Sequence, residues 1–583
     1  MLGIADPHEA GACLFVEGHV VAACTEERLT RLKSDVGYPR RAVEFCLDFA
    51  GITPDQLDAV AFASVKAPAS HIRIKREATF SVRDYVDEQN LYWKKALAGE
   101  PVSYHDLFSN NPKYIKDTAY DYARVFDARG NVDQEAFRQV RAAAVAAHLG
   151  IDARKVHFVL HEDSHAFYGY FGSPCRAEAL VFTCEGEGDY SNGTVSVMTP
   201  AGRRERCHTT GNHLARYYRY ITLLLGMKPN QHEYKVMGLA PYASDYEKRK
   251  CRPVFDDLLE VRDGNLEPKR RIPDRYFYFI EAFQGCRFDG IAGALQDYLE
   301  DRLAAWVSHH VSESGIRNIV FSGGVAQNIK AMKALRDLKD VDEVYVNPIS
   351  GDGSLALGAC YRYLHQRGAV VEPLATAYLG PSFSEKDVRE SIERLGIASK
   401  YRIVERPSVE HVAALLRDDH VIARCAGRME FGQRALGNRS ILANPATHDN
   451  ARKINEQIKR RDFWMPFTPT VLDTRAKDYL VNATASPFMT MAFDSTSRAR
   501  KDLAAAIHPA DFTVRPQILT RTANPAYYDL ISAFERLTGI GALLNTSFNL
   551  HGEPIVCSPD DAFHTFENSE LDGVLFDDVL VLR

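Results

Sequence analysis

Two histidines spaced four residues apart form a metal-ligand pattern. His161 and His165 directly follow an apolar run that reads as a strand. On a helix, residues at i and i+4 share one face, so both imidazoles can reach one metal ion. Two carboxylates, Glu185 and Asp352, stand beside glycines at the predicted ends of other strands. Two histidines with carboxylates and open positions suit iron, manganese or zinc. Two surface histidines are the alternative, and the carboxylates favour the metal site.

Two glycine-containing segments have features of phosphate-binding turns. Residues 322–328 (Ser-Gly-Gly-Val-Ala-Gln-Asn) follow a predicted strand and open a helix, where backbone N–H groups can meet phosphate. Residues 235–241 (Lys-Val-Met-Gly-Leu-Ala-Pro) are interpreted as a lysine beside a glycine turn. Neither is a Walker motif, and each alone is more often a packing turn. The candidate residues in these segments are Lys235, Gly238, Gly323, Gly324 and Asn328.

Polar motifs crowd the sequence after residue 384. Arginine, lysine, serine and asparagine side chains that converge are what a phosphate-bearing anion and a nucleotide require. Surface ion pairs would not explain why glycine, asparagine and serine interleave with the arginines. The candidate residues are Arg428, Arg434, Arg439, Ser440, Lys459, Arg515, Asn545, Ser547 and Asn549.

The predicted strands and helices that position these residues alternate in the manner of an α/β fold. A strand, a hairpin around Glu17 and Gly18, and a helix over 39–50 open the chain, in the order typical of ribonuclease-H-like, actin-type folds. A second unit of this kind is predicted from later apolar runs and a long helix over 289–311. Residues 66–150 are charged and helical in pattern, and we interpret them as an insertion. Glycines and prolines between 366 and 384 predict a domain boundary.

Composition excludes several classes of protein. The 583 residues carry a net charge of −6, which argues against binding to nucleic acid or an anionic membrane. The 11 cysteines include no C-x-x-C pair, which fits a reducing compartment better than a disulfide framework. The early polar residue Asp6 argues against a signal peptide, and no apolar stretch approaches the roughly 18 residues of a membrane span. We therefore expect a cytoplasmic protein.

The sequence resembles the O-carbamoyltransferases of nodulation-factor and antibiotic biosynthesis, a family that includes the tobramycin and cephem enzymes. The resemblance extends over nearly the whole chain. It implies an actin-type N-terminal domain over residues 1–370, similar to the tRNA threonylcarbamoyl-transferring enzymes, and a YrdC-like α/β C-terminal domain over 380–583. The strings that carry it are residues 235–241, 323–328, 430–440, 544–549 and 552–554.

The family resemblance also implies a reaction. ATP and carbamoyl phosphate would give carbamoyl adenylate in the C-terminal domain, and the N-terminal domain would transfer the carbamoyl group to a hydroxyl of a small molecule, a sugar or other secondary metabolite. A divalent metal, foremost iron, would be held by the two histidines with Glu185 and Asp352, and Mg²⁺ would accompany ATP. Asp6 or His8 would be the general base. No nucleic acid or membrane partner is implied, and a homodimer is compatible with the family.

Two residues depart from the family pattern. Glu185 replaces an aspartate, which shifts the ligand by one methylene, and Met465 replaces an arginine before Pro-Phe. The missing charge would then come from Lys459, Arg460, Arg461 or Arg515. Two alternative functions stay open, namely threonylcarbamoyl transfer to tRNA and nucleotide binding by a protein that has lost its chemistry.

Overall fold

The computed structural model describes residues 1–127 and 130–583, which form two compact units, 1–375 and 376–583. The first unit contains two five-stranded sheets. Strands of the first sheet are β1 (Leu2–Ala5), β2 (Gly11–Val16), β3 (His19–Thr25), β4 (Val60–Ala63) and β5 (Val156–Val159). The second sheet and a two-stranded ribbon contain β6 (Ala179–Cys184), β7 (Gly193–Thr199), β8 (Gly202–Thr209), β9 (Leu259–Arg262), β10 (Asn265–Pro268), β11 (Asn318–Ser322) and β12 (Glu343–Tyr345).

The two five-stranded sheets repeat one topology. The first has the order β3-β2-β1-β4-β5, in which the hairpin strands are antiparallel and β1, β4 and β5 are parallel. The second has the order β12-β11-β6-β7-β8 with the same directions. Three meandering strands followed by two parallel crossover strands, occurring twice, is the actin-type arrangement. The predicted fold class is confirmed.

Helices pack against these sheets where helical periodicity predicts them. The helix predicted over 39–50 spans Arg40–Ala50 and ends at Gly51 in a left-handed conformation. The helix predicted over 289–311 spans Phe288–Ser314 and ends in the same way at Gly315. The helices used below are α1 (Arg40–Ala50), α2 (Gln134–Leu149), α3 (His161–Gly172), α4 (Leu214–Leu224), α5 (Glu233–Leu239), α6 (Phe288–Ser314), α7 (Ile329–Arg336) and α8 (Leu355–Gln366).

The segment 66–150 lies between the parallel strands β4 and β5. Its last helix, α2, is the crossover that returns the chain to a parallel strand, so it belongs to the sheet layer. The preceding part consists of short helices that share an aromatic cluster around Phe80, Tyr85 and Phe108. They are Ala69–Arg73, Arg76–Thr79, Val82–Glu88 and Lys94–Leu97, with π-helical turns at Gln89–Trp93 and His105–Ser109.

The second unit is built around one mixed sheet of eight strands, which fits the predicted α/β domain. The strands of this unit are β13 (Arg402–Glu405), β14 (Ile422–Cys425), β15 (Arg439–Ala443), β16 (Thr468–Leu472), β17 (Phe493–Asp494), β18 (Thr513–Val514), β19 (Gln517–Leu519), β20 (Ala542–Ser547), β21 (Gly573–Leu575) and β22 (Val579–Leu582). The order in the sheet is β13-β22-β21-β14-β15-β20-β16-β19, and a separate ribbon pairs β17 with β18.

Both faces of this sheet are buried. Alternate residues of β15 enter different cores, since Ile441 packs with Phe563 on one face and Leu442 packs with Phe534 on the other. The covering helices are α9 (Glu385–Arg394), α10 (Val409–Arg417), α11 (Pro525–Thr538) and α12 (Pro559–Glu567). Among the described residues of the whole chain, no helix has both the length and the apolar character that a bilayer crossing demands.

Candidate metal centre and phosphate-binding residues

Four side chains converge in the first unit. Helix α3 begins at His161, two residues after β5 ends, and one helical turn brings His165 onto the same face. Glu185 directly follows β6, and its Oε2 lies 2.7 Å from Nε2 of His161 and 2.9 Å from Nε2 of His165. Oδ1 of Asp352, at the turn before α8, lies 3.7 and 3.6 Å from the same two nitrogens. The four residues that the metal-ligand pattern selected therefore share one site.

The charges at this site are strongly coupled. Burial alone would lower the pKa of His161, but the carboxylates of Glu185 and Asp352 raise it to about 10. Burial would raise the pKa of Glu185, but the two imidazoles lower it to about 2. His161 and Glu185 are therefore each driven towards the charged form by the oppositely charged groups of the site.

The donor set fits a divalent cation. One atom from each of the four residues lies within 4.8 Å of all the others, and only Asp352 is not buried. Within the described part of the chain, the buried Oε1 of Glu185 has no hydrogen-bond partner. Imidazole nitrogens and carboxylate oxygens that face one point without other partners are the ligands of iron, manganese or zinc. The longer side chain of Glu185 does reach this point.

Two residues that sequence reasoning missed hold the site. The hydroxyl of Ser64, at the end of β4, lies 3.0 Å from Nδ1 of His161. The buried carboxylate of Asp189 accepts from the backbone N–H groups of Val65, Lys66 and His161 at 2.7 to 2.8 Å. Asp189 closes the Glu-Gly-Glu-Gly-Asp run that starts at Glu185, so its position was a usable signal. Nothing in the sequence distinguishes Ser64 from other serines.

The two candidate bases differ in their surroundings. Asp6 is completely buried and accepts from the Tyr120 hydroxyl at 2.9 Å and from Arg141 at 3.3 Å. Burial raises the pKa of Asp6, against the effect of these partners. Burial would lower the pKa of His8, but the nearby carboxylates of Glu9, Glu77 and Asp352 raise it. Asp6 is thus held by Tyr120 and Arg141, whereas His8 lies among carboxylates.

The predicted residues of the segment 322–328 have different surroundings. Gly323 has a φ of +88°, and a Cβ there would lie 2.6 Å from the carbonyl oxygen of Cys184, so this glycine lets the loop pack on β6. Gly324 is exposed, with no atom within 4 Å of a Cβ position, which leaves room for a ligand. The Asn328 side chain caps α7 by accepting from the backbone N–H of Ala331 at 3.0 Å.

The predicted glycine turn at residues 235–241 is wrong. Lys235 and Gly238 both lie inside helix α5, and Lys235 is buried. Val236 and Met237 between them are buried, so packing of the helix outweighs the unfavourable helix propensity of a single glycine.

In the second unit, a buried lysine brings together three predicted residues. The Lys459 ammonium donates to Oδ1 of Asn549 at 2.6 Å and to Oγ of Ser547 at 3.1 Å, and it also contacts the backbone carbonyl oxygens of Ser547 and Asn549. Lys459 ends a π-helical segment, Ile454–Lys459, while Ser547 ends β20. Lys459, Ser547 and Asn549 form what we call the lysine cluster.

The arginine-rich string around residue 434 is folded by its own polar groups. The carboxylate of Glu430 accepts from the backbone N–H groups of Leu436, Asn438 and Arg439 at 2.7 to 3.1 Å. The Arg439 guanidinium is buried. It donates to the backbone carbonyl groups of Ala426, Gly427, Asn438, Cys557 and Pro381.

Other predicted residues of this unit are also held by the fold. Ser440 accepts from the backbone N–H of Gly437, and Asn545 donates to Ala435 and Thr470. Arg428 donates to the carbonyl oxygens of Leu379 and Gly380. Arg434 and Arg515 are partly exposed. The contacts of Arg439, Ser440 and Asn545 are those of structural residues.

Two family models match this chain. The family model described as carbamoyltransferase N-terminus matches residues 1–361, and the model described as carbamoyltransferase C-terminus matches residues 413–583. Nodulation protein NolNO of Sinorhizobium fredii is 29% identical, over 99% of this chain and 79% of the relative. Nodulation protein NolO of Bradyrhizobium diazoefficiens is 32% identical, over 73% of this chain and 78% of the relative.

Among solved structures, the (R)-2-hydroxyglutaryl-CoA dehydratase component A of Acidaminococcus fermentans aligns at 14% identity with a TM-score of 0.33, over 64% of this chain and 99% of that chain. The two family models together account for both units of the molecule. The chain belongs to the carbamoyltransferase family.

Proposed function

We propose that this carbamoyltransferase forms carbamoyl adenylate from ATP, carbamoyl phosphate and water, with release of inorganic phosphate and pyrophosphate. It then transfers the carbamoyl group to a hydroxyl of a small molecule, a sugar or other secondary metabolite. The observation that carries the proposal is the convergence of His161, His165, Glu185 and Asp352 in a chain of this family. The second unit supplies the lysine cluster, which supports an anion-binding role there. We assign adenylate formation to the second unit and transfer to the first.

The lysine cluster holds a buried ammonium whose present acceptors are side-chain and carbonyl oxygens of Ser547 and Asn549, and a bound anion would take the place of some of these acceptors. An ammonium that is buried keeps more of its electrostatic strength than one in water, and it can hold a phosphoryl oxygen as a point charge. Met465, at the position of the family's arginine, is buried. Arg461 donates to Asn455 at 2.7 Å and lies over the Phe467 ring, whereas Arg460 is exposed. Among residues 459–461, Lys459 is thus the one that replaces the missing charge.

In the first unit, His8 takes the proton from the acceptor hydroxyl as it attacks the carbamoyl carbon and displaces AMP. His161, His165, Glu185 and Asp352 would hold a divalent metal. When bound, such a metal supplies Lewis-acid polarisation and orients the carbamoyl-bearing phosphoryl group. Glu185, which carries a full negative charge at neutral pH, matches a cation at this point.

The test separates the two half-reactions in the full-length protein. Pyrophosphate release from ATP with carbamoyl phosphate reports adenylate formation, and mass spectrometry of a candidate alcohol reports transfer. We expect Lys459→Met to lose both and His161→Ala to lose transfer alone. Transfer that persists in His161→Ala would refute the role of the cluster, and adenylate formation that persists in Lys459→Met would refute the role of the lysine.

A further inference from the structure

A chain of buried polar contacts connects the end of β1 with His161. Oδ1 of Asp6 accepts from Nη1 of Arg141 at 3.3 Å. The same Nη1 donates to the carbonyl oxygen of Ser64 at 2.9 Å, and Nη2 donates to that of Val65 at 3.0 Å. The Ser64 hydroxyl then lies 3.0 Å from Nδ1 of His161. Asp6, Ser64 and Arg141 are each 0% exposed, so water does not compete for these bonds.

Ser64 has a backbone conformation that needs support. Its φ is +70°, in the left-handed region, which is an unfavourable conformation for a residue with a Cβ. Its N–H donates to the carbonyl oxygen of Val159 at 2.9 Å, and its own carbonyl oxygen is held by Arg141. The turn that directs the hydroxyl at His161 is therefore fixed from both sides.

Arg141 is well suited to hold this turn. Its guanidinium lies between the rings of Phe62, Phe137 and Phe158, at 5.2, 5.0 and 4.9 Å from their centroids. The planar fork reaches two consecutive carbonyl groups, which the single ammonium of a lysine cannot do in the same geometry. Asp6 supplies the negative charge that a buried cation requires.

A histidine that binds a metal through Nε2 must carry its proton on Nδ1. A hydrogen-bond acceptor at Nδ1 fixes that tautomer and the ring orientation. Ser64 provides this acceptor for His161, whereas the buried Nδ1 of His165 has no hydrogen-bond partner within the described residues. The two imidazoles therefore differ, and one of them is oriented by the chain.

We propose that Ser64, Arg141 and Asp6 are positioning residues for His161. Ser64 holds Nε2 of His161 towards Glu185 and Asp352, and Arg141 with Asp6 holds the turn that carries Ser64. In this role Asp6 is the counter-ion of Arg141, and the general base is His8. The inference rests on the proposed metal-ligand role of the cluster.

The experiment measures Co²⁺ binding to metal-free full-length protein, by titration of the visible absorption of the bound ion. Ser64→Gly removes the hydroxyl and tolerates the left-handed backbone, so its fold should be at least as stable as that of the wild type. We expect Ser64→Gly and Ser64→Ala to weaken Co²⁺ binding about 10- to 100-fold. Arg141→Lys, which keeps the charge beside Asp6, should weaken it as well.

Ser173 offers a matched control. It is buried at the end of the same helix α3, and its hydroxyl donates to the carbonyl oxygen of Tyr170 at 2.7 Å. Ser173→Ala should leave Co²⁺ affinity unchanged. Wild-type affinity in both Ser64 variants would overturn the positioning role and leave the metal site standing. A wild-type protein that binds no Co²⁺ would overturn the metal site and this role with it.

Discussion

In the first unit, the Glu185 carboxylate lies within 2.9 Å of two imidazole nitrogens, whereas in the second unit the Arg439 guanidinium is surrounded by backbone carbonyl groups. Both residues are buried, and both belong to dense polar motifs. The side chains around Glu185 face one another around a point where a ligand fits. Most of the side chains around Arg439 bind the backbone and so stabilise the conformation of a loop.

This contrast shows what a polar motif can mean. A side chain that satisfies backbone groups contributes to the loop and has little capacity left for a substrate. Glu430 and Arg439 fix the string 430–440 from within, and Arg434 stays partly exposed on it. The residues of such a string that lie at the surface are the ones to test for binding.

The largest expected effect concerns the metal-ligand cluster. Asp352→Ala should reduce carbamoyl transfer at least about a hundredfold, because it removes one ligand without filling the site. Pyrophosphate release in the second unit should stay within about twofold of the wild type, since no residue of the lysine cluster changes. Product formation followed by mass spectrometry, alongside pyrophosphate release, measures both.

Asp163→Ala is the control for this variant. Asp163 lies on α3 between the two histidines in sequence but pairs with Arg203 and Arg362. It should keep transfer while it lowers stability by about 1 kcal/mol. Equal losses of transfer in the two variants would mean that the effect of Asp352→Ala is structural.

Much of this cluster could be predicted from the sequence. The histidine spacing and the carboxylates at strand ends are local signals, although His161 follows a strand of the first sheet and Glu185 a strand of the second. The ends of two helices could also be predicted from local sequence, because Gly51 and Gly315 adopt the left-handed conformation that ends a helix. The glycine at 238 gave the wrong prediction because packing of α5 outweighs the weak local preference of one glycine.

Ser64 and Arg141, which support His161, could not be predicted. Ser64 meets His161 across 97 residues of chain, and Arg141 meets Asp6 across 135. Contacts of this range depend on the finished topology, and nothing in the neighbouring sequence marks them. The structural role of Arg439 could not be predicted either, because one of its partners, Cys557, lies 118 residues away in the sequence.

The second unit offers a direct test of the contrast. Arg439→Met should destabilise the protein by about 3 kcal/mol or more, because several buried carbonyl groups lose their donor at once. Arg434→Met should cost about 1 kcal/mol at most, yet lower adenylate formation tenfold or more if this arginine contacts phosphate. Thermal unfolding and pyrophosphate release separate the two. The reverse pattern would show that Arg439 binds substrate and Arg434 holds the fold.

A smaller effect is expected at Gly437, in the same string. A Cβ there would lie 2.2 Å from the Tyr527 ring, and its φ of +113° is one that few side chains adopt. Gly437→Ala should cost about 3 kcal/mol. Gly315→Ala, at a φ of +71° with nothing within 4 Å, should cost about 1 kcal/mol. Similar unfolding midpoints for both variants would mean that the string adapts and is not fixed by packing.

The smallest expected effect is on stability and concerns Glu26, a buried carboxylate of the first unit that accepts from backbone N–H groups, in contrast to Glu185, which contacts imidazoles. Glu26 accepts from the N–H groups of Ala42 at 2.8 Å and Arg41 at 3.2 Å. Burial raises the pKa of Glu26 to about 7, the opposite of the shift at Glu185. Because the folded state holds this proton more tightly than the unfolded state, the resulting stability is present below about pH 4.5 and is lost as the pH rises through about 7.

Glu26→Gln should remove this pH dependence, since an amide stays neutral and, like the protonated acid, keeps one carbonyl oxygen, which can accept from the Ala42 N–H. We expect the variant to match the wild type near pH 5 and to exceed it at pH 8 by about 2 kcal/mol, in urea unfolding followed by fluorescence. Parallel stability curves over this range would show that Glu26 is not protonated in the folded state, and that backbone N–H groups compensate its charge as fully as the imidazoles compensate that of Glu185.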